Sequence, residues 1–219
     1  MNQLSELHNE KHPRQEFQVE RLAFFSDAVF AIAITLLVIE IKVPHATQDT
    51  TYNELWHELK ELKFQFFALI ISFAIIANYW VKHHLLFKYI HDYNNEVLRL
   101  NLLTLLPIIF FPFTTAFVYE NLTHPAILVI PFRLFMINNM LASFAMYFLF
   151  WQVTKKHPHV SYPMEEEDKK LFSQKLILTG VSFTLVLLLT FILPLEYASL
   201  GILPIAFLNI RKKFFTKKK

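Results

Sequence analysis

Asp27 follows Ser26 directly and Arg21 by six residues, inside a stretch at 22–41 that is otherwise almost wholly apolar. An ionisable group within a membrane span costs several kcal/mol unless it is paired or wetted, so it calls for a functional reason. Two kinds of chemistry would use it. It could hold a proton or cation in transit, or it could accept hydrogen bonds that fix its helix against its neighbours. The other polar concentration is Tyr79-Trp80-Val81-Lys82-His83-His84, with Asn101 further on. Adjacent histidines on a helix point about 100° apart and cannot grip one metal or haem iron. No catalytic triad or metal-spaced cluster supports hydrolysis, so the chain reads as no enzyme, without metal or cofactor. Zero cysteines exclude disulfides and thiol chemistry. Only Gly180 and Gly201 occur, which excludes a P-loop, a dinucleotide turn and the Gly-containing carbonyl filter of ordinary potassium channels. Whatever selects a solute here must be built of side chains.

The elements that position these residues are membrane spans. The 219 residues are 54% hydrophobic with 24 Phe, and the mean hydropathy is +0.36. Several apolar runs are long enough to cross about 30 Å of hydrocarbon, so the chain is expected to be one all-α, multi-pass domain over 1–219. Six transmembrane helices are expected, at 22–41, 66–86, 97–118, 127–153, 171–193 and 198–210. Residues 1–19 read as a polar lead-in, without the apolar core or cleavage site of a signal peptide. Leu55, Trp56, Leu59 and Leu62 recur at helical spacing among charges, which suggests an amphipathic section running into helix 2. Pro107 and Pro112 should disturb helix 3, Arg133 should snorkel from helix 4, and 155–170 should be a solvated loop.

Lysine and arginine favour the N-terminal region, the connections 2–3 and 4–5, and the 211–219 tail; on the other side connection 1–2 carries Lys42, Lys60 and Lys63, whereas connections 3–4 and 5–6 carry none. Both termini are therefore expected in the cytosol of a cell-membrane protein, with the tail an anchor rather than a nucleic-acid site. That orientation sets Arg21, Ser26, Asp27, His83, His84 and Asn101 at matched depths on three helices. Asp27 is expected to accept hydrogen bonds from Arg, His or Asn of neighbouring spans. On helix 1, Ile32, Leu36 and Ile39 fall within roughly 60° of one another, Thr35 flanks them, and Asp27 points about 140° from Ile32. Ordinary packing would explain such an apolar line. A separate polar cluster on the same helix suggests more.

Arg21-x-x-x-Phe25-Ser26-Asp27, followed by Ala-Val-Phe-Ala-Ile-Ala-Ile-Thr-Leu-Leu and closed by Glu-Ile-x-Val-Pro, resembles the first helix of the transmembrane protein 175 family. The likeness continues through Ser72-Phe, Tyr79-Trp80-x-x-His83-His84-x-Leu-Phe87 and Leu100-Asn101-Leu-Leu; beyond residue 120 only the number of apolar segments agrees. These are potassium channels of lysosomes and endosomes and their shorter prokaryotic relatives. The resemblance implies a potassium-preferring channel in the lipid bilayer, a homotetramer with helix 1 around the pore. Ile32 would form the narrowest ring, Leu36 and Ile39 further rings, and Thr35 a hydroxyl between them. Arg21, Phe25, Ser26, Asp27, Trp80, His83, His84 and Asn101 would have structural and gating roles. The alternative is a cation- or proton-coupled secondary transporter using Asp27, which would call for discontinuous helices and paired halves, and neither is visible.

Overall fold

A computed structural model of the chain describes residues 13–44, 47–122 and 124–198. Its first helix, α1, is Pro13–Ile39, and its buried residues Val19, Leu22, Ser26, Phe30, Ala33 and Leu37 recur every three or four positions along one side. α2, Tyr52–Phe87, starts at a capping box: the Glu54 N–H donates to Thr51 Oγ1 at 3.3 Å and the Thr51 N–H to Glu54 Oε2 at 2.8 Å. Its 36 residues measure about 54 Å at 1.5 Å per residue, well beyond the hydrocarbon thickness. The expected amphipathic section is thus the first part of α2 itself.

α3, Asn95–Glu120, is capped by Asn94, whose side-chain oxygen accepts from the N–H groups of Glu96 and Val97 at 3.1 and 2.9 Å. It runs unbroken through Pro107 and Pro112. Asn138 Nδ2 donates to the Pro107 carbonyl at 3.0 Å, and the Thr114 hydroxyl donates to the carbonyls of Phe110 and Phe111. These side-chain bonds add to the helix beside its prolines, which a membrane span tolerates where neighbouring groups support the backbone. α4, Pro125–Trp151, continues into a π turn, Gln152–Lys156, and a 3-10 turn, Pro158–Val160. α5, Glu166–Leu189, places Glu166, Glu167 and Asp168 in its first turn, where carboxylates complement the helix dipole. A short α6, Leu195–Ala198, follows.

Five of these helices are long and apolar enough to cross a membrane. The expected sixth helix and the basic tail lie, past residue 198, outside the described residues, as does most of the lead-in. α1 packs on α2 and α3, α3 on α4, and α4 on α5. Between membrane helices, lipid offers no hydrophobic driving force, so close packing and internal hydrogen bonds hold the bundle. Gly180 illustrates the closeness: a Cβ there would come within 3.1 Å of the Phe144 ring, so α5 meets α4 with no room to spare.

Two expectations about the connections are corrected. Arg133 does not snorkel freely: its Nε donates to Thr190 Oγ1 at 3.0 Å, an η nitrogen donates to the Thr190 carbonyl at 2.7 Å, and the guanidinium lies 3.8 Å from the Phe191 ring centroid. It caps the C-terminus of α5, where carbonyls lack helical partners. The 155–170 connection is not a free loop either. His91 and Asp92 donate backbone N–H groups to the Val160 carbonyl, and Tyr162 N–H donates to the Tyr89 carbonyl at 2.7 Å. Glu96 accepts from Lys156 Nζ at 2.8 Å, from His157 Nε2 at 3.0 Å and from Gln152 Nε2. The two basic connections therefore clasp each other. At the opposite end the Tyr119 hydroxyl donates to the Glu40 carbonyl and Lys42 pairs with Glu120 at 2.7 Å, tying α1 to α3.

Candidate functional site

Ser26, Asn101 and His83 are brought together from α1, α3 and α2, each 1% exposed or less. His83 Nε2 lies 2.8 Å from Asn101 Oδ1, Asn101 Nδ2 donates to Ser26 Oγ at 2.9 Å, and the Ser26 hydroxyl donates to the Leu22 carbonyl at 2.9 Å. Because the amide oxygen can only accept, the proton sits on His83 Nε2 and every donor in the chain has its acceptor. The imidazole stacks on Phe87 at 4.3 Å and meets Phe30 at 5.4 Å. Three helices are thereby pinned at one depth by groups that would each cost about 1–3 kcal/mol if left unpaired.

Asp27 is half-buried beside this chain, and Trp80 Nε1 donates to its Oδ1 at 2.9 Å. The partner is therefore an indole, not the expected Arg, His or Asn. Asn101 is committed to Ser26, and His83 Nε2 to Asn101. Trp80, one turn earlier on α2, supplies the indole N–H instead. Arg21 is exposed, 5.9 Å from the Phe17 ring, next to Phe25 in a shallow pocket that Tyr93 and Leu98 also line. Phe25 is 51% exposed, and His84 is exposed with its ring 5.4 Å from Trp80. So the structure joins Ser26, Asp27, Trp80, His83 and Asn101, and leaves Arg21, Phe25 and His84 outside the hydrogen-bonded set. At 100° per residue Arg21 and Phe25 each lie about 20° from Ile32, on the outward side of α1. That angle was available from the sequence, and the shared motif obscured it.

The outward side carries Ile32, Leu36 and Ile39, exposed by 56%, 36% and 73%, while Phe30, Ala33 and Leu37 behind them are buried. Thr35 is exposed on the same side, and its hydroxyl donates to the Ile32 carbonyl at 2.9 Å. Val38 is also 60% exposed, so the free arc of α1 is broader than the line itself. Among the described residues this branched apolar strip stays largely uncovered. No group of three or more His, Cys, Asp or Glu able to hold a metal ion occurs among the described residues.

A sequence profile of the family described as endosomal/lysosomal potassium channel TMEM175 matches residues 21–112, the segment that supplies most of α1, all of α2 and most of α3. Over 188 residues the chain is 31% identical to a potassium channel of Streptomyces collinus, an overlap of 84% of this chain and 88% of that one. The crystal structure of a lysosomal potassium-selective channel TMEM175 homologue from Chamaesiphon minutus superposes with a TM-score of 0.69 at 28% identity, covering 89% of this chain and 97% of that one. A variant of the potassium channel MtTMEM175, solved with a nanobody fusion, shares the fold at TM-score 0.64 and 20% identity, with 95% and 99% covered. The all-helical bundle and a match across most of both sequences agree: this protein belongs to the TMEM175 family.

Proposed function

We propose that the chain forms a potassium-preferring cation channel of the cell membrane, with both termini cytosolic and copies of α1 arranged around the pore of a homotetramer. The observation that carries this reading is the contrast across α1, which is locked on one side by buried polar bonds and left bare and apolar on the other at Ile32, Leu36 and Ile39. One helix cannot enclose a pore, so the bare strip acquires a function only when copies meet. Rings of branched side chains then make a hydrophobic constriction, which gates by dewetting and favours an ion that gives up or deforms its water shell easily. Potassium holds water less tightly than sodium and passes more readily. The names of the S. collinus and C. minutus relatives support the choice of ion. Asp27, bonded to Trp80 on the packed side, supports anchoring rather than ion coupling. Purified protein in proteoliposomes should carry potassium faster than sodium down matched gradients. Flux that is equal for both ions would defeat the reading, and so would conduction by a monomer in single-channel recordings.

A further inference from the structure

α2 and α5 diverge, leaving an elongated groove of about 1100 Å³ between them, floored by α3 and α4. Most of its wall is apolar, including Ile71, Ile75 and Leu178. Its basic end carries Lys82 and Lys175, and neither has an acidic partner among the described residues. Lys82 is half-buried, its ammonium 5.5 Å from the Tyr79 ring centroid. It lies five residues from the end of α2, about 8 Å along the axis, and Lys175 lies one turn beyond Leu171, where α5 turns apolar. Both ammonium groups thus stand where the hydrocarbon gives way to headgroups. Two like charges facing one groove repel each other, and an anion between them relieves that repulsion.

We propose that this groove binds an anionic phospholipid, with its phosphate between Lys82 and Lys175 and an acyl chain along the apolar wall. Charge selects the occupant. A zwitterionic headgroup brings its own cation to a site that already holds two, whereas phosphatidylglycerol brings only the anion. Basic pockets between membrane helices bind acidic headgroups on this principle. The site is on the far side of α2 from α1, so its occupation does not depend on the pore assignment.

The test is native mass spectrometry of the delipidated oligomer, titrated with phosphatidylglycerol or phosphatidylcholine. Phosphatidylglycerol should be retained preferentially. Lys82→Gln and Lys175→Gln should each weaken its binding about fivefold, and the pair about 25-fold. Lys155→Gln, an exposed basic residue away from the groove, should leave it unchanged. Equal retention of the two lipids would overturn the proposal. So would binding that survives the double variant, or an intact oligomer that takes up no lipid because a second copy or the chain's own C-terminal segment covers the groove. Displacement of the lipid by equimolar inorganic phosphate would reduce the site to an anion trap without an acyl subsite and would also overturn it.

Discussion

The two sides of α1 are built on opposite terms. On the packed side every polar group meets a partner inside the chain: Ser26 with Asn101 and Leu22, and Asp27 with Trp80. On the outer side Ile32, Leu36 and Ile39 are left 56%, 36% and 73% exposed by the described residues. The packed side therefore does its work in a single chain, by setting the rotation and depth of α1. The outer side works only in an assembly, and its geometry is inherited from the packed side. Hydrogen bonds set a rotation because they are directional, whereas apolar contact tolerates slip. Damage to the first side should accordingly appear in stability, and damage to the second in ion preference.

Asn101→Ala should have the largest effect. It strips the acceptor from the His83 N–H and the donor from Ser26, and is expected to cost about 2–6 kcal/mol given about 1–3 for each of the two groups. Thermal unfolding in detergent measures it, and an unchanged melting temperature would mean that the chain of bonds does not hold the bundle. Trp80→Phe is the next step down. It removes the indole N–H together with three ring atoms, and a hydrogen bond to a charged acceptor is worth about 1.5–3 kcal/mol. A double-mutant cycle with Asp27→Asn isolates the pair, and zero coupling would remove Asp27 from the anchoring side. In surviving channels both changes should move stability more than the potassium-to-sodium ratio.

Ile32→Asn should do the reverse. The position is 56% exposed within one chain, so the folded subunit loses little. A wetted ring should raise conductance and reduce potassium preference several-fold, on the order of 1 kcal/mol. Reversal potentials under bi-ionic conditions that match the wild type would exclude Ile32 from the filter. The smallest effect is expected at the far end of α1, where Lys42→Ala breaks the pair with Glu120. The Glu120 carboxylate raises the Lys42 pKa above its ordinary 10.5, so the pair's contribution is complete below that pH and lost as pH rises through the raised value. The pair is open to solvent, and a stability difference that persists in high salt would contradict a screened surface interaction.

Much of α1 could be read locally. The apolar period, the 140° between Ile32 and Asp27, and the motif around Ser26 all lie within a few turns, where the helical repeat alone determines direction. The same locality exposed α2 to α5 as runs of spanning length, with Thr51 and Asn94 as plausible caps once the helices were in place. It could not supply partners. That Asp27 would meet Trp80, 53 residues away, while His83 and Asn101 bond each other, depended on how α1, α2 and α3 pack. Arg133 as the cap of α5, Glu96 as the hub of the basic-end clasp, and the groove between Lys82 and Lys175 likewise arise only from how far one helix slides and turns against another. The sequence by itself determined that the spans exist and which way each side chain leaves its helix, because backbone periodicity is a property of neighbouring residues. The tertiary structure alone decided who meets whom, because relative depth and rotation follow from the packing and hydrogen-bond satisfaction of all the helices together.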